Sequence, residues 1–403
     1  MFITIQRKTE VHGTIQNLPS SKSISNRALL LNALTGNQSV VSNLSSARDT
    51  RLMHSLIRSD DQVIDVMDAG TAMRFLTAYF ALSGKNKILT GTERMRQRPI
   101  ALLVNALRTI GATIAYLDTE GFPPIETKGF DKQKSDSVSL PGNVSSQYIS
   151  ALMMMAPVLP KGLAITIEGH IGSRPYIDMT SALMKTFGVT CDFSGQSIQI
   201  PHATYVPASL TVEADWSAAS YWFAFTALAE KAELVLPNVT SQSLQGDRVI
   251  VEAMGKLGVK TTFVKGTAVL SKQAHSNFIE WNFADCPDLA QTMLPVCAAA
   301  GIQGSFTGME SLRIKETDRI VALQTEMAKI GARLSEEETG LWKLTPGKMV
   351  NLISIQTYHD HRVAMGLAPW ATLAGLKIEE PDVVNKSYPG FWDDMKALGF
   401  EIK

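Results

Sequence analysis

A chain of 403 residues with 45% apolar and 19% charged side chains can bury substantial cores and is too long for one ordinary domain, so two are expected. Lys plus Arg and Asp plus Glu both number 38, which leaves no global field to draw in nucleic acid or an acidic membrane; any anion must be recognised locally. The longest apolar run, 151–159, is far short of a membrane span, and 1–13 lacks the apolar core of a secretory signal. Cys191, Cys286 and Cys297 form neither a CxxC pair nor an even framework, which suits a reducing compartment; a soluble cytoplasmic protein is expected.

In chain order, Ser21-Lys22-Ser23-Ile24-Ser25-Asn26-Arg27 leads into a helix over 28–34, with Ser23 and Arg27 four apart and so on one helical face. Asp68-Ala69-Gly70-Thr71 leads into Ala72-Met73-Arg74. From Arg98, residues Ile100, Leu103, Val104, Leu107 and Ile110 share a helical face, Gly111 ends the helix, and Thr113-Ile114-Ala115-Tyr116 reads as a strand. Ser145-Ser146-Gln147 opens a helix over 148–155 whose Met153-Met154-Met155 run reads as core packing. The polar passage 212–217 precedes an apolar run, 221–228, and is the expected hinge, with a second crossing near 18–21. Asp285-Cys286-Pro287-Asp288 precedes 289–296. Lys315-Glu316-Thr317-Asp318-Arg319 opens a helix carrying Ile320, Leu323, Met327 and Ile330 before Gly331.

A repeat runs through these elements. Helix, glycine and strand follow one another from Arg98, Arg174, Arg248 and Arg319, and the glycines, Gly111, Gly188, Gly258 and Gly331, recur about every 70 residues. A fifth copy is expected to close at Gly399, with room for an earlier degenerate one, giving about six units of mixed helix and strand. Turns at Thr119-Glu120-Gly121, Ser194-Gly195-Gln196, Lys265-Gly266-Thr267 and Glu338-Thr339-Gly340 predict that each unit ends in a β-hairpin.

Small or hydroxyl residues beside a cation at several helix starts suggest a polyanionic small substrate, because a helix N-terminus offers unpaired N–H groups and partial positive charge. The competing reading is ordinary capping by Thr71, Ser145 or Thr317, and a solvated face for Lys22 and Arg27. No GxxxxGK followed by Ser or Thr occurs, so nucleoside triphosphate hydrolysis is not supported. Asp288 and Glu316 are candidate proton-transfer groups, since a carboxylate among Lys and Arg stays ionised while a neighbouring Lys serves as acid; Asp288 as a plain helix cap is the alternative. In Tyr358-His359-Asp360-His361-Arg362 the two His would ligate a metal only on an extended chain with further partners. A His-Arg pair capping a helix and facing an anion is preferred, and neither metal nor organic cofactor is expected.

Four collinear passages carry a resemblance: Leu18-Pro19-Ser20-Ser21-Lys22-Ser23 with Asn26-Arg27-Ala28-Leu29-Leu30, Ala69-Gly70-Thr71-Ala72-Met73-Arg74, Arg94-Met95-Arg96-Gln97-Arg98-Pro99-Ile100, and Arg313-Ile314-Lys315-Glu316-Thr317-Asp318-Arg319. Together they resemble the 5-enolpyruvylshikimate-3-phosphate synthase family along nearly the whole chain. The resemblance implies an α/β fold of two domains, each an inside-out α/β barrel of three βαβαββ repeats. The first would comprise 1–19 with 215–403, the second 20–214, with the active site in the interdomain cleft and domain closure around the substrates.

It implies transfer of the enolpyruvyl group of phosphoenolpyruvate to the 5-hydroxyl of shikimate 3-phosphate through a tetrahedral ketal, in the shikimate pathway to chorismate and the aromatic amino acids. By motif, Ser23, Arg27, Ser145, Ser146, Gln147, Ser173, Tyr176, Asp288, Ser311 and Lys315 would hold shikimate 3-phosphate. Lys22, Gly70, Arg98, Gln147, Arg319, Arg362 and Lys386 would hold phosphoenolpyruvate. Asp288 would be the base at the 5-hydroxyl, Lys22 or Glu316 the acid at C3, and the protein a monomer.

Three departures stand out: Ser311 where the family often has Asn, Phe75 where Pro is frequent and glyphosate response could change, and Arg48-Asp49 in place of a frequent pair of acids. The rival reading is the related transferase acting on UDP-N-acetylglucosamine, which generally uses a mobile-loop Cys that 91–99 lacks. A non-catalytic anion-binding paralogue is the other; retention of Lys22, Asp288, Glu316 and Lys386 together argues against it.

Overall fold

The computed structural model describes residues 1–142 and 145–403. The chain forms two compact units, one of 1–21, 46–48 and 213–403, the other of 22–45 and 49–212. Each has its own apolar core, the first around Trp222, Phe225, Leu294 and Trp370 and the second around Leu30, Phe75, Leu107 and Met153.

One local plan recurs within both units. In Phe278–Asn282, Gln303–Thr307, Arg333–Glu338 and Leu341–Thr345 the first strand pairs parallel with the second, the second antiparallel with the fourth, and the fourth antiparallel with the third. The same order holds for Val63–Asp65, Lys87–Thr90, Thr113–Tyr116 and Ile125–Gly129, and for Ser137–Pro141, Leu163–Glu168, Asp192–Ser194 and Ser197–Ile200. A helix joins the first strand to the second and another the second to the third, as parallel pairing requires a crossover. The hairpin turns are tight at Gly195-Gln196, Lys265-Gly266 and Thr339-Gly340, whereas 117–124 forms a longer loop.

Three copies depart from contiguity. Glu10–Thr14 pairs parallel with Lys231–Pro237, so the first strand of that copy lies more than two hundred residues before its second. Phe2–Ile5 pairs with Gly375–Glu379, itself parallel to Leu352–Ile355, and Ile402 bridges to Ile5; both chain ends therefore close one copy. The smallest keeps only Ser209–Thr211 parallel to Val40–Ser42, without a hairpin. Gly111, Gly188, Gly258, Gly331 and Gly399 all have positive φ, between 77° and 128°, the conformation that ends a helix with least strain in glycine.

The helices sort by sequence pattern. Trp216–Leu228 is buried at every residue except Ser217, and Gly70–Leu82 and Ser146–Met155 are nearly as enclosed. A helix apolar all round must lie inside. Together with Ala290–Ala300 and His361–Leu367 in the first unit, and Lys22–Leu34 in the second, these are the central helices of the copies, packed on one another within each unit. Ala101–Ile110 buries one face only, through Leu103, Val104, Ala106, Leu107 and Ile110, and lies outside them. Strands such as Lys231–Pro237 and Leu163–Glu168 alternate buried and open residues, one face toward the helices and one toward solvent. Among the described residues no helix is long and apolar enough to cross a membrane.

The expected hinge passage is a paired segment. Ser20 bridges Ala214, Ser21 N–H donates to Glu213 O at 2.8 Å, and Asp215 N–H donates to Pro19 O at 2.8 Å. Asp215 then caps Trp216–Leu228 through Ala218 N–H at 2.9 Å.

Candidate active site

In the first unit, site residues gather where central helices begin. Asp288 lies just before Ala290–Ala300, whose N-cap residue is Leu289. Its carboxylate accepts from Arg319 Nη1 and Arg362 Nη2, both at 2.9 Å, so it does more than stand at a helix start. Arg319, 1% exposed, also donates to both Asp360 oxygens at 2.7 and 3.2 Å and to Glu316 Oε2 at 3.1 Å. Lys386 Nζ lies 3.4 Å from Glu316 Oε1. Burial alone would raise the Asp288 carboxyl, but Arg362, Lys315 and Arg319 outweigh it and hold it well below the usual carboxylate range.

Arg319, Arg362, Lys386 and Lys315 thus face Asp288, Glu316 and Asp360. The neighbouring Asp247 is buried and pushed up to about 7 by burial and the Asp288 charge, so near neutrality it is about half protonated. Cations and carboxylates thus crowd a poorly solvated place, where an incoming anion can compete with the carboxylates for the cations.

Asp360 was not among the predicted residues, and its roles correct the expectation for 358–362. It is the N-cap of His361–Leu367, accepting from Arg362 N–H at 2.9 Å, while it holds Arg319 through the same carboxylate. His361 is the first helical residue and fully buried; His359 is exposed and pairs with Glu380 at 2.9 Å. Tyr358 and His359 have φ of 54° and 55°, so the passage turns sharply. Among the described residues no group of three or more His, Cys, Asp or Glu could hold a metal ion. Thr317 is not the cap of the following helix; Asp318 is, accepting from Ile320 and Val321 N–H.

In the second unit, Lys22 begins Lys22–Leu34 and pairs with Asp49 Oδ2 at 3.0 Å, which gives Asp49 a partner the sequence left open. Arg27 is 2% exposed. Its Nε donates to Thr180 Oγ1 at 2.7 Å, Nη2 to Ser150 Oγ at 3.0 Å, and Nη1 to the Ser23 carbonyl at 3.0 Å. No carboxylate pairs with it among the described residues, and burial lowers its pKa to about 10. Arg27 is therefore no part of a solvated face.

Gly70 begins Gly70–Leu82 without a side-chain cap, and Thr71 accepts from Gln147 Nε2 at 3.1 Å, linking the starts of two central helices. A Cβ on Gly70 would come within 2.8 Å of Arg98 Nη1, so glycine here lets the guanidinium lie against the helix start. Arg74 Nη2 and Tyr148 OH both donate to Pro99 O, at 3.0 and 2.5 Å, and fix the residue next to Arg98. Ser145 caps Ser146–Met155 through Gln147 N–H at 3.4 Å.

Ser146 is buried at the first position of that helix; Ser173, at φ 56°, precedes Arg174–Thr186. Tyr176 places its ring against Arg27. Ser311 lies in the short helix Glu310–Ile314, and among the described residues no side-chain hydrogen bond ties it or Ser173 to another predicted site residue.

Comparison with known proteins adds a family. The model of EPSP synthase (3-phosphoshikimate 1-carboxyvinyltransferase) matches residues 5–59 and 55–395. A 3-phosphoshikimate 1-carboxyvinyltransferase of Bacteroides fragilis is 46% identical over 408 residues, covering 100% of this chain and 99% of the relative. One of Haemophilus influenzae is 36% identical, with 98% of each covered. Among solved structures, an EPSP synthase of Acinetobacter baumannii superposes with a TM-score of 0.78 over 100% of this chain and 99% of that one, at 20% identity, a likeness of fold.

Proposed function

Because the chain belongs to the EPSP synthase family, we propose that residues of both units serve one reaction, Arg27 among those that take the acceptor and Arg319 and Arg362 among those that take the donor. The chain is an enzyme that moves the carboxyvinyl group of phosphoenolpyruvate onto the 5-hydroxyl of 3-phosphoshikimate and releases phosphate, as a step toward the aromatic amino acids.

The observation that carries the residue roles is the Asp288 carboxylate between two buried arginines. Those cations hold its pKa down, which makes it a weak base. A donor phosphate or carboxylate that draws on Arg319 and Arg362 shares their charge and lets the proton affinity of Asp288 rise. Asp288 then accepts the 5-hydroxyl proton as that oxygen attacks C2 of phosphoenolpyruvate. C3 takes a proton from Glu316 or Lys22, giving a tetrahedral ketal that still carries its phosphate. Elimination breaks the C2–O bond to phosphate and returns a C3 proton to the same acid, now a base. Ser23, Ser145, Ser146, Ser173, Tyr176, Ser311 and Lys315 are assigned to the acceptor with Arg27; Lys22, Gly70, Arg98 and Lys386 to the donor with Arg319 and Arg362; Gln147 to both.

The test is phosphate release by purified protein with phosphoenolpyruvate, comparing 3-phosphoshikimate with UDP-N-acetylglucosamine, and mass spectrometry of the product. Release with 3-phosphoshikimate alone, yielding its enolpyruvyl ether, is expected. Release only with the nucleotide sugar would overturn the assignment of the acceptor, and binding of both substrates without release would overturn the assignment of the acid and base.

A further inference from the structure

Arg27 is a buried guanidinium that the fold keeps charged by means other than a counter-ion. Thr180, Ser150 and the Ser23 and Tyr176 carbonyls take hydrogen bonds from its three nitrogens. The Thr180 and Ser150 hydroxyls are themselves 2.9 Å apart, so the acceptors are fixed to each other. Two rings complete the surround, with the guanidinium carbon 5.3 Å from the Phe75 centroid and 5.8 Å from that of Tyr176. Tyr176 already has a place in the acceptor site. Phe75, fully buried in Gly70–Leu82, has none.

The choice of a ring over a carboxylate at this point has a chemical consequence. An aspartate beside Arg27 would stabilise the cation but would compete with any anionic ligand for the same donors. A ring face offsets part of the desolvation cost through its quadrupole without adding a negative charge that competes for the cation. Its rigid plane also limits where the guanidinium can lie, so less rotamer freedom remains to be lost when a ligand binds.

We infer that Phe75 is a positioning residue for the acceptor, acting through Arg27 by holding the guanidinium charged, flat and undischarged where the acceptor's anionic or hydroxyl groups meet it. Phe75 sits on the helix whose first residue, Gly70, is assigned to the donor, yet its substitution bears on the acceptor. This rests on the reading that Arg27 takes the acceptor.

The experiment uses the full chain with Phe75→Met and Phe75→Leu, which keep an apolar side chain and remove the ring, with Phe75→Tyr, which keeps it, and with Arg27→Gln alone and combined with Phe75→Met. The readouts are KM for 3-phosphoshikimate, KM for phosphoenolpyruvate, kcat and the thermal midpoint. Phe75→Met or Phe75→Leu, whichever is folded, is expected to raise the acceptor KM about fivefold and leave the donor KM within about twofold, with Phe75→Tyr close to the parent. In the Arg27→Gln background the Phe75→Met effect on the acceptor KM is expected to vanish, which a general loosening of the core would not produce. Equal rises in both KM values, an unchanged acceptor KM, or an effect that persists without Arg27 would overturn the inference. An Arg27→Gln protein with a normal acceptor KM would overturn the reading beneath it instead.

Discussion

Asp247 offers a test of how charge is arranged in the first unit. Its side chain is 3% exposed, one oxygen accepts from the Ser217 hydroxyl, and the other, Oδ1, has no hydrogen-bond partner among the described residues. Burial and the nearby Asp288 charge push its pKa from 3.8 up to about 7, against the pull of Arg362 and the Ser217 bond. The folded chain thus binds this proton more tightly than the unfolded one. The stability it contributes is complete below about pH 4 and is lost as pH rises through 7. Each pH unit in that window costs about 1.4 kcal/mol, so between pH 5 and pH 8.5 the group takes away about 3 kcal/mol. Asp247→Asn copies the shape and neutrality of the protonated acid and removes the titration. The assay is thermal unfolding of parent and variant at both pH values. At about 2–4 °C per kcal/mol for a unit of this size, the variant is expected to gain about 5–10 °C relative to the parent on going from pH 5 to pH 8.5. Because the comparison is between two pH values, any fixed effect of the amide cancels. An offset that is the same at pH 5 and 8.5 would refute the placement of a neutral carboxyl beside Asp288.

Asp288→Asn should lower kcat by about a thousandfold, the scale of a lost general base. It should bind phosphoenolpyruvate at least as tightly as the parent, because Arg319 and Arg362 lose an anionic competitor; isothermal calorimetry and single-turnover phosphate release separate the two effects, and near-normal turnover would remove Asp288 from the base role. Asp394, fully buried, accepts from the backbone of Gln16 and Asn17, from Asn17 Nδ2 and from Tyr388 OH, the last at 2.6 Å. Asp394→Ala should destabilise the first unit by about 3–5 kcal/mol in denaturant unfolding, and a loss below about 1 kcal/mol would show that these donors find other partners.

The periodicity was legible because each copy advertises itself locally: an apolar helical face, a glycine with positive φ, an alternating strand. What the sequence did not disclose is how the remaining copies close. The pairing of Glu10–Thr14 with Lys231–Pro237, and of Phe2–Ile5 with Gly375–Glu379, joins residues from opposite parts of the chain, and nothing in a short strand names its distant neighbour. The site divides in the same way. Lys22, Arg27, Asp288 and the Lys315–Arg319 passage stood out because cations and hydroxyls cluster at helix starts. Their partners Asp49, Ser150 and Thr180 lie inside otherwise ordinary helices and become meaningful only when those helices pack. Asp360 was the exception that could have been found, since an acid immediately before an apolar helix is a cap signal; the flanking histidines drew the reading away from it.

The repeat accounts for where the chemistry sits. Each copy carries one enclosed helix, and a helix apolar along its length can expose polar function only at an end. Several of the proposed site residues lie at N-terminal ends: Lys22 begins one such helix, Gly70 a second and Ser146 a third, while Asp288 precedes a fourth and Arg362 is second in another. Repetition thus supplies an anion-accepting position several times over, and within each unit side chains from neighbouring copies meet, as in the bonds from Gln147 to Thr71 and from Arg362 to Asp288. Positive charge gathered this way is unfavourable in a poorly solvated place without a ligand. It persists because the apolar packing behind it is shared by every copy in the unit, and because carboxylates, Asp49 in one unit and Asp288, Glu316 and Asp360 in the other, offset part of it. A substrate carrying phosphate and carboxylate groups would compete with those carboxylates for the same cations.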